Sequence, residues 1–577
     1  MATLQQKTSR GHKYWYIVES RRVNGKPRPV VLAYLGKAED LLARLQGLRD
    51  DVAVKSYSHG AVAALLEVAR KLEVPSVINE HVRSQRPYMP DKPIRNNLTV
   101  GMTILLGAIG RVCMPTSKRG FWNWAKTTSC EYLLRCSLSG MDSQHFWDLM
   151  DALPVESIEK IEAELLSKVQ RLYPMDEDTL LFDTTNFFTY IATDNHRCGV
   201  AQRGANKQKR NDLRQVGLAM VVSRRDFLPL FHLTYEGARH DSRVFAGVIE
   251  KIKQRMETLG LDLEKHTLVF DRGNNSKKNL GLVAEAGLHY VGALTPYHHS
   301  DLLREADGKF GPADLKDGQV SVYRCKRLVW GEQRTILVFV SPKLKDGQLR
   351  GIYGDLEKKL AELSKIGRSL GGGKTKQGRA ALEARISKLV KGQFIGGVID
   401  WKLEETDAGR LRLEYWINEA RFAQMEKDLG VRILMTDRHE WETERIIAAY
   451  HGQSFVEQAF KNIKNPRHLA LQPGFHWTDQ KIAVHYFMCV LGYLLASLAW
   501  REAREKTGFE GTLDSLLDSL NNIRLAALIE SPQGRGRPKV NYQLEQMSKK
   551  ESELADALGI AESHRKKPRF KGVGVYK

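Results

Sequence analysis

Cysteine is scarce in this sequence and scattered. The six residues Cys113, Cys130, Cys136, Cys198, Cys325 and Cys489 form no C-x-x-C pair. That excludes a disulfide-built secreted scaffold and argues against a structural zinc site. Glycine follows no collagen-like period, and the first ten residues hold no apolar stretch of the signal-peptide kind. Long hydrophobic runs are nearly absent. The one exception, Ile482 to Trp500, is interrupted by His485, Gly492 and Ser497, and reads as a buried core helix rather than a membrane span. Acidic residues are in deficit, 68 against 89 Lys and Arg, which leaves a formal charge of +21. Hydrophobic residues still make up 42% of the 577, enough for real cores and three to four domains' worth of chain. These features together predict a cytoplasmic protein with a polyanionic partner, nucleic acid first, because Lys and Arg neutralise phosphates.

The first segment patterns as a basic hairpin. Lys13 to Arg21 and Pro29 to Leu35 flank an Asn24-Gly25 turn, and residues 1–37 hold eight Lys or Arg against one Glu. Residues 39 to about 172 follow helical spacing, with Asp142-Ser143 as a helix start and Trp122 and Trp124 as core. From about 176 the pattern turns to short strands, at 179–183, 216–223, 228–235, 267–271 and 290–294, with helices at 243–257 and 276–286. That alternation predicts an α/β sheet. Residues 300 to about 437 read as an insertion, with strands at 320–323, 334–340, 397–403 and 411–417 around a charged helical pair. A long helix is expected from about Glu440 to Ile463, and the tail from 532 carries a net charge of +6.

Two strands share one pattern. Thr179-Leu180-Leu181-Phe182-Asp183 and Thr267-Leu268-Val269-Phe270-Asp271 each run apolar and end in Asp. In α/β sheets ligands bind beyond the carboxyl ends of strands, and carboxylate oxygens suit Mg²⁺. The simpler reading is an Asp that starts a turn; the duplication speaks for the other. On the expected helix, Tyr450, Glu457 and Lys464 are spaced by seven and share a face, which Gln453 joins. Phe455, Val456, Ala459, Phe460 and Ile463 form the stripe that packs on a sheet.

The spacing of Tyr450, Gln453, Glu457 and Lys464 resembles the Tyr-Arg-Glu-Lys signature of bacterial insertion-sequence DDE transposases of the family called insertion sequence four. The 14–35 hairpin, Pro115-Thr116-Ser117-Lys118-Arg119, Leu181 to Thr185, Arg214 to Leu218, Gly237 to Phe245 and Phe270 to Gly273 extend the resemblance over most of the chain. The sequence departs from the signature at Gln453, where the family has Arg; Gln lacks the charge and the bidentate fork.

The resemblance implies an α/β fold with a ribonuclease-H-like core, an inserted β-rich domain and a mainly helical N-terminal domain. The divisions would be a basic β-hairpin at 1–38, a helical DNA-binding or accessory domain at 39–172, the catalytic core at 173–300 and 438–505, the insertion at 301–437 and a basic C-terminal region at 506–577. Asp183, Asp271 and Glu457 would be catalytic and hold two Mg²⁺ ions per site, with Mn²⁺ able to substitute. Tyr450, Gln453 and Lys464 would contact DNA, as would Arg203, Lys207, Lys209 and Arg210 of the basic loop 197–214. The implied activity is that of a DNA transposase, which binds terminal inverted repeats and carries out cleavage and strand transfer. The partners would be double-stranded DNA, both element ends and target, and a second copy in a homodimer on paired ends, in the bacterial cytoplasm at the nucleoid and not at a membrane.

Two other readings stay open: a catalytically silent or domesticated DNA-binding relative, and an endonuclease without strand transfer. Gly371-Gly372-Gly373-Lys374-Thr375 lacks the spacing and preceding strand of a phosphate-binding loop. Arg535-Gly536-Arg537-Pro538 is read as a charged linker more than as a minor-groove hook.

Overall fold

The computed structural model describes every residue except 1, 10–11, 24–25, 40–41, 43–51, 83–97, 175–177, 207, 240, 316–317, 372–377, 393, 407–409, 428, 473, 531–537 and 571–577. The Asn24-Gly25 turn, Lys207, most of the Gly-rich stretch at 371–375 and Arg535 to Arg537 therefore lie outside the described residues.

The chain opens with a three-stranded antiparallel sheet, β1 (Ala2–Ser9), β2 (His12–Val23) and β3 (Lys26–Gly36). The expected hairpin is β2 and β3. The additional strand β1 is polar and lacks apolar alternation; it is a strand because its backbone pairs along β2, from Ala2 opposite Glu19 to Ser9 opposite His12. A second unexpected strand, β4 (Val52–Ser58), precedes the helices α1 (Gly60–Lys71), α2 (Val74–Glu80), α3 (Val100–Cys113), α4 (Phe121–Ala125), α5 (Cys130–Leu134), α6 (Ser143–Asp151) and α7 (Val155–Leu172). Asp142 caps α6 by accepting from His145 N, as its sequence position suggests, and Trp124 is buried.

The central layer is one nine-stranded sheet. Its strands are β5 (Thr179–Thr189), β6 (Arg214–Ser223), β7 (Pro229–Glu236), β8 (Thr267–Val269), β9 (His289–Leu294), β10 (Gly311–Leu315), β11 (Gly318–Val329), β12 (Glu332–Val340) and, far along the chain, β15 (Val431–Thr436). Their spatial order is β10-β11-β12-β15-β9-β8-β5-β6-β7. β5, β6 and β7 are antiparallel neighbours, whereas β8 and β9 run parallel to β5. The parallel joints are bridged by α8 (Asp241–Thr258) and α9 (Lys277–Glu285), the crossovers that parallel strands require. A short helix, α10 (Ser300–Ala306), leads into β10.

The expected β-rich insertion at 301–437 is corrected here. β10, β11, β12 and β15 extend the central sheet and share its core. Only the chain between β12 and β15 stands apart: α11 (Pro342–Gly371), α12 (Arg379–Leu389), the hairpin β13 (Ile399–Glu405) and β14 (Leu411–Ile417), and α13 (Glu419–Lys427). This unit has its own apolar core, built around Ile352, Leu356, Leu363, Leu382 and Ile386, and it is mainly helical.

The expected single helix from 440 to 463 is two, α14 (Thr443–His451) and α15 (Gln453–Lys464), separated at Gly452. The long apolar helix α16 (Asp479–Thr507) has the length and composition to cross a membrane, but its apolar window is wholly buried in protein. The tail forms α17 (Leu513–Asn521), β16 (Arg524–Glu530), β17 (Lys539–Leu544) and α18 (Lys549–Ala557). β16 lies between β17 and β4 in a separate antiparallel sheet, so the start and the end of the chain fold together.

Candidate active site on the central sheet

Asp183 and Asp271 are brought level by strand register. β5 pairs with β8 from Thr179 opposite Thr267 to Leu181 opposite Val269, and each Asp lies two residues beyond the last pair. Neighbouring strands lie about 4.8 Å apart. Past β8 the chain stays against the sheet, where Phe270 N donates to Val291 O at 3.4 Å. Phe182 and Phe270 both pack edge-on against Phe245 of α8, with ring centroids 5.5 and 5.0 Å apart. Side chains alternate along an extended chain, so the two carboxylates belong to the other face.

That other face is covered by α15. Gln453 Nε2 donates to Phe182 O at 3.0 Å, and Lys464 Nζ donates to Thr185 Oγ1 at 2.5 Å. These two bonds lay the helix along β5 on either side of Asp183, and Glu457 stands between them in sequence. The helix packs through Val456, Ala459, Phe460 and Ile463, all buried, which leaves Glu457 exposed. Gly452 is needed at the approach. A Cβ there would meet Ala449 O at 2.8 Å and Leu181 Cδ2 at 3.1 Å.

Several expectations are altered by these positions. β5 does not end at Asp183 but runs on to Thr189, because Thr184 to Phe188 pair fully with β6. Asp183 is therefore in mid-strand, and its Oδ1 accepts from Thr184 N at 2.8 Å. Asp271 lies two residues past the end of β8, and caps the following turn by accepting from Arg272 N at 2.7 Å. The basic loop that follows β5 consequently leaves at Thr189, on the order of 20 Å from Asp183 along the strand, and not beside it. In that loop Arg203, Lys209 and Arg210 are exposed, and Arg210 holds Asp212 in a two-point ion pair at 2.7 and 2.8 Å.

Tyr450 and Gln453 do not share an open face with Glu457. Both are buried, at 6% and 9% exposure, because the break at Gly452 places Tyr450 on α14, and Gln453 is spent on the Phe182 carbonyl. Burial pushes the Tyr450 phenol up, and the nearby charge of Asp271 adds to that, against Arg432 and Arg272. Arg432 of β15 lies 5.6 Å from the Tyr450 ring. Sequence reading missed Arg432 because 431–436 was placed in the insertion and not read as a strand of the central sheet. Thr185, the partner of Lys464, was visible only as a neighbour of Asp183. Lys118 lies 2.7 Å from His476 Nε2, in protein rather than on an open surface.

The three carboxylates supply oxygen donors only, the kind Mg²⁺ takes, and two of them share a register. Among the described residues, no three His, Cys, Asp or Glu side chains are gathered closely enough to hold a metal ion. The donors fit the ion in kind and in place on the sheet; Glu457 is not drawn in to meet the aspartates.

Comparison with known proteins gives one family match. Residues 3–56 match the model for the N-terminal domain of IS1634 family transposases, a span that covers the first sheet and most of β4. This supports an insertion-sequence transposase. No curated protein matches the sequence. Among solved structures, the chain is similar to a piggyBac transposase in a synaptic complex with hairpin DNA, at 9% identity and a TM-score of 0.37, over 79% of each chain.

Proposed function

We propose that this protein is the DNA transposase of an insertion sequence, a DDE enzyme that binds terminal inverted repeats and carries out DNA cleavage and strand transfer. The observation that carries the reading is the common register of Asp183 and Asp271 under a helix that bears Glu457. The order β9-β8-β5-β6-β7, three antiparallel strands followed by two parallel ones, supports a ribonuclease-H-like core. The match at residues 3–56 supports the same class of protein. The narrower kinship with insertion sequence four rests on the Tyr450, Glu457 and Lys464 spacing.

In this reading Asp183, Asp271 and Glu457 would hold two Mg²⁺ ions, or Mn²⁺ in their place, which would supply Lewis-acid chemistry for in-line attack on phosphorus by a water or a DNA 3′ hydroxyl. The protein's own part is placement. Lys464, exposed and held at Thr185, offers a cation beside the strand of Asp183. Arg203, Lys209 and Arg210 offer a second set at the far end of β5 and fix the path of the phosphates. Tyr450 and Gln453 act from within, by seating α14 and α15 on the sheet, rather than as open DNA contacts. The partners are element ends and target DNA, bound by a homodimer.

The test is a cleavage and joining assay on a duplex that carries the element's own terminal repeat. Asp183→Ala, Asp271→Ala and Glu457→Ala each abolish nicking, by about 1,000-fold or more, while repeat binding stays within about threefold of the parent. Loss of binding together with cleavage in all three would assign the carboxylates a structural role. Cleavage without joined products would make the protein an endonuclease.

A further inference from the structure

Large aromatic side chains are normally covered, yet three stand open together where β5 ends. Tyr190, Phe475 and Trp477 are 53%, 50% and 63% exposed. The rings of Tyr190 and Phe475 lie 5.6 Å apart at 37°. Their backbones are tied: Tyr190 N donates to Gly474 O at 2.9 Å, and Trp477 O accepts from Asn195 Nδ2 at 3.1 Å.

The segment that presents two of them is firmly anchored. Arg111 donates to Gln472 O at 3.0 Å and also to Ala470 O. His485 Nε2 is 2.9 Å from Leu471 O. His476, between the two open aromatics, points inward to Lys118 and stacks on His485 with ring centroids 4.2 Å apart. The side chains at 475, 476 and 477 thus alternate out, in, out on a fixed backbone.

The border of this surface is cationic. Residues 190–214 contain six Lys or Arg against two Asp. Arg197 and Arg203 are exposed, and Arg214 pins the loop through Asn195 O at 2.9 Å and Thr193 O at 2.6 Å. Rigid open rings beside a cationic loop are the chemistry that holds unpaired nucleotides: the bases stack on the rings and the phosphates meet the guanidinium groups. Paired bases are already stacked on one another and offer such rings little.

We infer that Tyr190, Phe475 and Trp477 form a stacking platform for an unpaired DNA strand, on the order of 20 Å along β5 from Asp183. This rests on the proposed DNA substrate but assigns a site separate from the carboxylates.

The experiment measures fluorescence anisotropy of the full chain with labelled oligothymidylate and with a blunt duplex of the same length. The proteins are the parent, Tyr190→Ala/Trp477→Ala and Trp477→Phe, each checked for native circular dichroism and for mass by sedimentation. The double variant loses about tenfold or more in affinity for the single strand and less than about twofold for the duplex, whereas Trp477→Phe, which keeps a ring at 477, stays within about threefold of the parent on the single strand. Equal losses on both probes, or none, overturn the platform and leave the transposase reading intact. A parent that binds the single strand but no duplex keeps the platform and sinks the duplex-end reading. A parent that binds neither sinks both. A change from dimer to monomer with strand affinity unchanged would make the aromatics a subunit contact and overturn the proposal.

Discussion

His59 has no part in the proposed chemistry, yet it joins the two ends of the chain. Its ring is fully buried, with Nδ1 2.8 Å from Ser129 Oγ and Nε2 2.7 Å from Ser563 Oγ. Burial, with a smaller contribution from His564, lowers its pKa from 6.5 to about 4. The unfolded chain therefore takes up a proton that the folded one refuses between these values. The stabilising contribution is complete above pH 6.5 and declines as pH falls towards 4. Denaturant titrations across that interval are expected to show a slope that His59→Gln flattens; an unchanged slope would assign the acid sensitivity to other groups. Residues such as this one show the limit of local reading. His59 and the serines are ordinary in sequence, and their meeting depends on segments about 70 and 500 residues away. Gln453 teaches the same lesson. It was visible as a departure from a signature, but its bond to Phe182 O was not.

At the scale of elements, the most informative position is the break between α14 and α15. A heptad spacing of Tyr450, Glu457 and Lys464 describes one helix face only if the helix is continuous, and Gly452 ends that continuity. The glycine serves the close approach to Leu181 rather than an unusual φ, since its backbone is helical at φ −56°. Gly452→Val is expected to push α15 off β5 and destabilise the fold by about 1–3 kcal/mol. Because α15 carries Glu457 and Lys464, cleavage should fall by more than the folded fraction does, which parallel thermal melts and cleavage assays would reveal. The periodicity of apolar residues predicted β6, β7, β8 and β9 to within about two residues, and the start of β5 but not its end, because each is a buried run bounded by turns. It missed β1 and β17, polar strands at sheet edges, and also β4, β10, β15 and β16, which become strands only when a partner backbone is beside them.

For the whole molecule, the mainly helical unit between β12 and β15 is an addition to a sheet that closes without it. Val340 and Val431 are paired neighbours, and Ser341 N donates to Gly430 O at 2.9 Å. The unit's apolar core is separate from the main one. Replacing residues 341–430 with a two-residue Asn-Gly turn is therefore expected to leave a cooperatively folded protein, with a Tm within about 5 °C of the parent. Calorimetry would check this, and a broad or absent transition would show that the unit supports the sheet. By contrast, truncation before β16 removes the partner of β4 and is expected to open residues 52–58, at the edge of the matched N-terminal domain, to proteolysis.

The sequence by itself determined the α/β class of the fold, the strands β6 to β9 with the start of β5, and the basic charge, because apolar period and charge are local properties; Asp183, Asp271 and Glu457 were its proposal, from a repeated strand pattern and a family resemblance. It also determined that α16 is apolar; the tertiary structure decided that this helix is covered by protein along its apolar length. Tertiary structure alone decided that β10, β11, β12 and β15 belong to one sheet with β5, that the chain's two ends share another, and that Tyr450 and Gln453 face inward. It alone decided that Tyr190 meets Phe475 and that Asn195 ties down the Trp477 carbonyl. The physical reason is common to all of these: pairing and burial depend on what lies opposite, and the opposite partner is in most cases more than a hundred residues away.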